Sequence, residues 1–246
     1  MAQNSKIEWT ESTWNPVTGC TKISTGCKNC YAERMALRLK AAGQPNYRNG
    51  FRVTTHPQIL DLPLKWKRPR TIFVNSMSDL FHRDISVDFI LQVFEIMCRA
   101  SHHRFQVLTK RSSRLAQLSL LLPWARNIWM GVTVENAGCL SRIDHLRKTD
   151  AAIKFISFEP LLGPISEVDF DGIDWVIVGG ESGPGARPMR PEWARDLRDK
   201  CIASGVPFFF KQWGGLNKKQ SGRILDGCLW DEIPNSESHN LLFAQK

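Results

Sequence analysis

The chain has 246 residues, of which 42% are hydrophobic, and it carries a formal net charge of +9. This length suits one large α/β domain or two small ones, and no apolar run approaches the roughly 20 residues that a membrane-spanning helix needs. The seven cysteines follow no paired framework and no signal peptide is evident, which together indicate a reducing, cytoplasmic compartment. The excess of positive charge favours a polyanionic partner such as nucleic acid, and we expect no membrane partner.

The first distinctive stretch is a cysteine-rich loop. A strand is predicted over residues 12–18, and it leads into Cys20, Cys27 and Cys30, spaced as Cys-x6-Cys-x2-Cys. Thiolates are the soft ligands that iron–sulfur clusters and zinc select, and a Cys-x2-Cys pair can place both sulfurs on one centre. Apolar residues at three- and four-residue steps then predict a helix over residues 31–42.

Three cysteines do not by themselves decide which metal the loop would bind. A closed structural zinc site takes four ligands, which His56 or Cys98 would have to complete. An iron–sulfur cluster held by three cysteines would instead leave one iron open to a substrate or cofactor, and we favour this interpretation over zinc and over unligated thiols. The remaining cysteines are predicted to be core residues, apart from a strand residue at the last position: Cys98, Cys139, Cys201 and Cys228.

The rest of the chain alternates short apolar runs with amphipathic helices. A loop-rich segment at 44–67 comes first. Strands are predicted at 71–76, 105–109, 128–134, 153–158, 175–178 and 206–210, with helices at 87–99, 112–121, 137–147 and 191–204. Such alternation is typical of parallel strands covered by helices, and the number of units predicts an α/β fold, a partial TIM-like barrel of (β/α)6 type. We expect a barrel domain over residues 1–215 and a polar tail over 216–246, with a hairpin at 222–230 turning at Asp226-Gly227.

Polar residues follow nearly every predicted strand. Because the carboxyl ends of parallel strands meet at one mouth, we expect these residues to share a site. They are Ser76, Met77, Ser78, Asp79 and His82, then Lys110, Glu135, Asn136 and Glu159, then Gly179, Gly180, Glu181, Lys211, Gln212 and Trp213. Glu159, Glu181 and Lys211 are the catalytic candidates, and the glycines suit close backbone approach to a ligand or its phosphate.

Three basic clusters are further candidates for nucleic-acid contact. They are Lys65–Arg70, which interleaves Trp66 with cations, Lys110-Arg111 with Arg114, and Lys218-Lys219 with Arg223. An indole among cations would suit base stacking combined with phosphate contact.

With these features, residues 12–213 resemble the radical S-adenosylmethionine superfamily, and within it the spore-photoproduct-lyase-like members. The chain also looks like a member of a three-cysteine family distributed among phages and bacteria, whose function is unassigned. The loop is three residues longer between its first two cysteines than the superfamily's Cys-x3-Cys-x2-Cys, and Asn29 replaces an aromatic residue, with Tyr31 nearby. Gly179-Gly180-Glu181 spells a superfamily motif but comes five strands later, so we place it in the substrate half.

The resemblance implies residue roles. Cys20, Cys27 and Cys30 would hold a [4Fe–4S] cluster that binds S-adenosyl-L-methionine. The cofactor contacts would be Tyr31, Ser76, Met77, Ser78, Asp79, Lys110, Glu135 and Asn136. The substrate contacts would be His82, Gly179, Gly180, Glu181, Gln212 and Trp213.

The implied activity is that of an enzyme that generates a 5′-deoxyadenosyl radical to rearrange or modify a nucleic-acid base, with an external electron donor. An isomerase step in phage thymine hypermodification and a lyase-like repair activity both fit, in a bacterial or phage-infected cell. Two alternatives remain: a zinc-stabilised nucleic-acid-binding protein without catalysis, and a hydrolase that uses Glu159 and Glu181.

Overall fold

Seven parallel strands form one curled sheet, a half-barrel, in the computed structural model, which describes Ser5 and residues 7–235. The strands are β1 (Ser12–Trp14), β2 (Val17–Thr18), β3 (Thr54–Thr55), β4 (Thr71–Val74), β5 (Arg104–Thr109), β6 (Ile128–Thr133), β7 (Ile153–Phe158), β8 (Trp175–Gly179), β9 (Phe208–Gln212), β10 (Ile224–Leu225) and β11 (Cys228–Leu229). The half-barrel has the order β1-β4-β5-β6-β7-β8-β9, while β2 pairs with β3 and β10 with β11. The predicted partial barrel is thus confirmed.

The helices alternate with the strands along the chain. They are α1 (Tyr31–Ala41), α2 (Val87–Arg99), α3 (Ser112–Leu118), α4 (Ser141–Arg147), α5 (Pro191–Ser204) and α6 (Lys218–Ser221). Short 3-10 segments lie at Thr25–Cys27, Pro45–Tyr47, Pro57–Ile59, Pro63–Lys65, Ser119–Leu121 and Ala137–Cys139. None of the helices in the described part of the chain has both the length and the apolar character to cross a membrane.

The two faces of the sheet have different cores. Aliphatic residues of the strands pack against the helices on the convex face. On the concave face, Trp9 reaches across from the N-terminal segment and packs edge-on against Phe73 and Trp175, with ring centroids 4.7 and 6.3 Å apart. Trp129 and Phe155 complete this aromatic filling. The concave face is therefore filled by packed side chains towards the amino-terminal ends of the strands.

Strand periodicity places polar residues above these aromatic residues. Side chains two positions apart point to the same face of a strand. Trp129 on β6 is therefore followed on its own face by Gly131, Thr133 and then Glu135, just beyond the strand end. The same alternation applies to β7, which ends towards Glu159. The concave face thus changes from aromatic to polar as the strands approach the mouth.

The sequence and the structure differ most at two strands, the first and the last of the main sheet. The predicted first strand is split, because Asn15 and Pro16 interrupt it and the second piece pairs with β3 rather than with the main sheet. The last strand begins at Phe208 rather than at Val206. The Val206 N–H bonds to Cys201 O at the end of α5, at 2.9 Å, and Pro207 has no N–H to donate.

The helix predictions hold with small changes in length. α2 and α5 have the predicted bounds, while α1 ends one residue early. The other two predicted helices are each part α-helix and part 3-10 segment, with α3 ending at Leu118 and α4 beginning at Ser141.

The tail is joined to the sheet. The predicted hairpin is confirmed, with Asp226 and Gly227 at positive φ (53° and 78°) in its turn. Beyond it, Phe210 N donates to Trp230 O at 2.9 Å and Glu232 N donates to Phe208 O at 3.3 Å. The segment after the hairpin therefore covers the free edge of β9, while residues 236–246 of the predicted tail lie outside the described residues.

The cluster at Lys65–Arg70 lies at the opposite end of the sheet from the mouth, since it precedes the first residue of β4. Its Trp66 is buried, packs 5.9 Å from the His103 ring and carries the Arg70 guanidinium 4.9 Å from its centroid. A buried indole has no free face for a base, so the stacking interpretation of this cluster is wrong.

Gly131 offers a test of the concave core. A Cβ at this position would lie 2.4 Å from the Phe155 ring, whereas one at buried Gly163 would meet only Asn136 Cβ at 3.9 Å. We therefore expect Gly131→Ala to lower the free energy of unfolding by about 2 kcal/mol and Gly163→Ala to change it by less than about 0.5 kcal/mol. Urea titration measures both, and equal effects would show that Phe155 does not close over β6.

Candidate active site

The cysteine loop, residues 19–30, lies over the mouth and is fixed at its first residues by backbone contacts. Gly19 N donates to Met77 O at 3.0 Å, and Cys20 N donates to Phe51 O at 3.2 Å. Gly19 has a φ of 81°, and a Cβ there would lie 2.3 Å from Arg52 O. Only glycine fits between these two neighbouring segments.

The three thiols of the loop are free and half-buried. Burial raises the pKa of Cys20 to about 11. Burial also opposes ionisation of Cys27, but hydrogen bonds from the loop backbone and from Ser24 outweigh it and hold the pKa of this thiol below its ordinary value. Negative charge on Cys27 further raises the pKa of Cys20. The pKa of Lys22 is raised by its hydrogen bond to Glu33 and also by the charges of Cys30 and Cys27. The thiols are therefore electrostatic neighbours.

Neither predicted fourth ligand joins them. His56 Nε2 bonds with Thr18 Oγ1 at 2.8 Å, and Cys98 lies on α2, where its thiol donates to Pro123 O at 3.4 Å. Over Ser5 and residues 7–235, no three histidine, cysteine, aspartate or glutamate side chains are grouped closely enough to hold a metal ion. The three thiols supply suitable soft donors, and their side chains must converge for a shared centre.

Glu135 is the main contact between the loop and the sheet. Its carboxylate is fully buried beyond β6 and accepts from Ser24 Oγ at 2.5 Å and from Arg142 Nη1 at 2.9 Å. Lys110 Nζ lies 3.7 Å from Oε1, and the Cys139 thiol donates to Oε2 at 3.1 Å. Burial opposes ionisation, but Lys110, Ser24 and Arg142 hold the pKa of Glu135 below its ordinary value.

Gly26 explains how closely the loop approaches this carboxylate. A Cβ at Gly26 would lie 2.4 Å from Glu135 Cγ and 2.5 Å from Oε1. Real Cβ atoms do not come this close to other atoms. The loop can therefore pack against Glu135 only because Gly26 has no side chain. Asn136 adds a weaker contact from Nδ2 to Thr25 Oγ1 at 3.4 Å.

Glu181 makes the second link, from the segment after β8. Arg187 donates to it from Nε at 2.8 Å and from Nη2 at 2.6 Å, and Asn29 Nδ2 donates at 2.9 Å. Arg187 Nη2 also donates to Thr25 O at 3.0 Å in the loop. Burial opposes ionisation, but the hydrogen bonds from Arg187 and Asn29 lower the pKa of Glu181 to about 2.

Asp79 and His82 fix the segment after β4. Asp79 accepts from Thr109 Oγ1 at 2.7 Å and from Lys110 N at 3.1 Å, which connects β4 to the end of β5. His82 is fully buried, and burial lowers its pKa. Because His82 Nδ1 accepts from Asp84 N at 3.1 Å, Nε2 carries the proton and donates to Thr21 Oγ1 at 2.8 Å. His82 therefore supports the loop through Thr21, and Asp79 fixes the segment that carries His82.

The remaining predicted cofactor residues lie beside the first cysteine. Ser76 Oγ donates to Asn15 Oδ1 at 3.1 Å, and Ser78 Oγ donates to Val17 O at 3.0 Å. Met77 is buried, and its N–H bonds to Asn15 Oδ1 at 3.2 Å. Tyr31, by contrast, is 59% exposed at the start of α1.

Glu159 and Lys211 form a pair on the substrate side of the mouth. Lys211 Nζ lies 3.0 Å from Glu159 Oε1, and Ser157 Oγ donates to Oε2 at 3.2 Å. Glu159 therefore pairs with Lys211, and Glu181 with Arg187, so each carboxylate has its own cation. This arrangement gives no support to an acid–base pair of two glutamates.

The glycines after β8 are packed against protein atoms. A Cβ at Gly179 would lie 2.4 Å from Glu159 Oε1, and one at Gly180 would lie 2.0 Å from Trp213 O. Gln212 Nε2 donates to Gly180 O at 3.2 Å, while the Trp213 indole donates to Ile224 O at 2.8 Å, in the first strand of the hairpin. These residues hold the loop after β8 against β9.

Sequence reasoning missed several residues that connect the loop to the barrel. They are Ser24, Asn29, Cys139, Arg142 and Arg187. Ser24 and Asn29 lie inside the cysteine motif but are not metal-ligand types. Cys139, Arg142 and Arg187 follow the carboxylates that they contact by four to seven residues, with no motif that marks the pairing. Cys139, predicted as a simple core residue, is in fact half-buried against Glu135.

The family model that matches residues 4–234 is described as "Protein of unknown function (DUF5131)". The chain belongs to this family. No curated protein matches the chain.

Two solved structures of spore photoproduct lyase are similar to the DUF5131 chain at low identity. One is a double mutant with bound AdoMet and dinucleoside spore photoproduct: 12% identity, a TM-score of 0.43, and coverage of 67% of this chain and 54% of that one. The other is complexed with dinucleoside spore photoproduct: 11% identity, a TM-score of 0.44, and coverage of 75% and 59%. The chain thus spans little more than half the length of either protein.

Removing Glu135 should release the cysteine loop. Glu135→Ala leaves Arg142 and Lys110 without their buried counter-charge, so we expect a loss of about 3 kcal/mol in stability and faster tryptic cleavage after Lys22 and Lys28. Glu167→Ala, at an exposed glutamate, is the matched control and should change neither. Unchanged cleavage in Glu135→Ala would show that the carboxylate does not hold the loop.

The Glu181–Arg187 pair should make stability depend on pH. Because the pKa of Glu181 is lowered to about 2, its contribution is complete above the ordinary value of about 4.3 and is lost as the pH falls through 2. Glu181→Gln should therefore lower the melting temperature at pH 7, and its melting temperature should fall less than that of the wild type between pH 5 and about 2.5. Parallel curves for the two proteins would contradict the pairing, and Glu167→Gln serves as the control.

Proposed function

We propose that this protein is a radical S-adenosylmethionine enzyme that modifies a base in nucleic acid. The observation that carries the proposal is the position of Cys20, Cys27 and Cys30: three free, half-buried thiols on one loop, fixed over the carboxyl-terminal mouth of a half-barrel. In parallel α/β barrels, chemistry takes place at the carboxyl-terminal ends of the strands.

The residues present fit a [4Fe–4S] cluster by their chemistry. Thiolates are the ligands that iron–sulfur clusters take, the loop keeps its cysteines out of disulfides, and three ligands leave one iron for S-adenosyl-L-methionine. When bound, the cluster and this cofactor supply the electron transfer and the radical chemistry. The protein holds and orients them.

The buried carboxylates then act as positioning residues. Glu135, with Ser24 and Arg142, fixes the middle of the loop, and Glu181, with Arg187, fixes the backbone beside Cys27. Cofactor contact is left to groups on the open side of the loop, namely Tyr31, Asn136 and the segment 76–78.

The substrate half of the mouth contains the Glu159–Lys211 pair. It lies above the aromatic filling on the concave face, where side chains of β7 and β9 meet. A carboxylate and an ammonium group side by side can recognise the donor and acceptor edge of a nucleobase. The net charge of +9 supports a polyanionic substrate.

The test compares single cysteine variants after anaerobic reconstitution with iron and sulfide. We expect wild-type protein to bind iron and sulfide, to show the absorbance of a cluster, and to cleave S-adenosyl-L-methionine when reduced. Cys20→Ala, Cys27→Ala and Cys30→Ala should each lose at least about 100-fold in cleavage rate, which corresponds to about 2.7 kcal/mol. Cys228→Ala, at an exposed cysteine outside the loop, should retain both properties.

Other outcomes would overturn the proposal. Colourless protein with one tightly bound zinc would indicate a non-catalytic, zinc-stabilised protein. Iron binding that survives all three loop substitutions would place the metal elsewhere.

A further inference from the structure

Positive charge is concentrated next to the cysteine loop. Residues 20–58 contain seven lysines and arginines and one acidic residue, Glu33, so they carry +6 of the net charge of +9 in about a sixth of the chain. Glu33 is paired with Lys22 at 2.8 Å. The other cations of this segment therefore have no acidic neighbour in sequence to neutralise them.

Four of these cations are exposed and close in sequence. Arg38 and Lys40 are on α1, and Arg48 and Arg52 are in the segment that follows it. Among the described residues, no acidic side chain forms an ion pair with any of the four. Arg34 differs, because its guanidinium donates to Pro184 O and Ser182 O at 3.1 and 2.9 Å and so serves the structure.

Backbone contacts place the segment after α1 beside the helix. Gln44 N donates to Leu39 O at 2.9 Å, which turns the chain back along α1, and Cys20 N donates to Phe51 O. The Lys40 side chain crosses this return segment, since a Cβ at Gly50 would lie 3.5 Å from Lys40 Cδ. We call the exposed side of α1 and its return segment, which carries Arg38, Lys40, Arg48 and Arg52, the basic face; it borders the Cys20 end of the loop.

Helix α1 presents this surface to solvent. Within α1, Ala36 is the one fully buried residue, and Leu37 and Tyr31 are 54% and 59% exposed. From Tyr31 to Lys40 the helix advances about 14 Å. One small anion cannot bridge that distance, whereas phosphates recur every 3.4 Å of axis along one strand of a duplex.

We propose that the basic face binds the phosphate backbone of a nucleic-acid strand and so brings a base to the mouth. The inference rests on the proposed function for the choice of a base as the reacting group, while the binding itself depends only on the charges. Unpaired arginines suit phosphate oxygens, which their guanidinium groups can contact through two hydrogen bonds at once.

The experiment measures binding of a fluorescent single-stranded DNA by anisotropy over a range of salt concentrations. One variant replaces Arg38, Lys40, Arg48 and Arg52 with Gln. The matched control replaces four exposed cations at the end of the sheet opposite the mouth with Gln. They are Lys65, Lys67, Arg68 and Arg99. Both variants lose the same charge.

We expect the basic-face variant to bind at least about tenfold more weakly at 0.1 M salt. The slope of log K against log salt should fall in magnitude by about 3, since each phosphate contact on a single strand contributes about 0.7. The control variant should keep the slope of the wild type to within about 1. Iron content after reconstitution, measured in parallel, should be equal in all three proteins.

Equal losses in the two variants would mean that only net charge matters and would overturn the inference. So would binding to anionic phospholipid vesicles without binding to DNA, because the face would then be a membrane surface. Cys30→Ala separates this inference from the proposed function: DNA binding retained without cleavage of S-adenosyl-L-methionine supports the basic face alone. If wild-type protein binds DNA but forms no cluster, the enzyme proposal fails and the basic face stands.

Discussion

The structure of the mouth depends on one buried carboxylate. Glu135 is withdrawn from solvent at the end of β6, and ionisation there is maintained by Lys110, Arg142 and the Ser24 hydroxyl together. An uncompensated charge in such a place would cost several kcal/mol. Because Ser24 belongs to the cysteine loop, the loop must dock for Glu135 to have its full set of partners. Burial of charge thus determines where the sulfurs lie.

The barrel supplies a rigid base for this arrangement. Packed aromatic rings fill the concave face from Trp9 to Trp175, and they cannot rearrange without opening cavities. The polar layer above is built on the same strands, one or two residues further along. The mouth is therefore shaped by strands whose amino-terminal halves are fixed. Their carboxyl-terminal ends carry ion pairs across the concave face, such as Glu159 after β7 with Lys211 on β9.

Much of this fold could be predicted from the sequence, and the reason is local periodicity. The helix of residues 87–99 and the strand of residues 153–158 have the predicted bounds because their apolar patterns depend on one element alone. The hairpin turn at Asp226-Gly227 likewise follows from residues that accept positive φ. The start of β9 was missed because a bond from Val206 to the preceding helix competes with the sheet.

The site was less predictable, because no local pattern in the sequence marks which charged and polar groups pair. Glu135 and Glu181 were recognised from their places after strands, but the partners Ser24 and Arg187 carry no signal in a single sequence. Pairing each carboxylate with a cation requires three-dimensional proximity. Ligand residues that are adjacent in sequence, such as Cys27 and Cys30, are therefore easier to identify than the residues that position them.

The segment after the hairpin has a consequence for self-association. β9 contains three consecutive phenylalanines and would be an edge strand with unpaired N–H and C=O groups. Trp230 and Glu232 pair with those groups instead. Exposed, flat, apolar edges recruit strands from other molecules. The tail therefore protects the edge strand from aggregation. A chain shortened before residue 230 would expose β9 to pairing with strands of other copies.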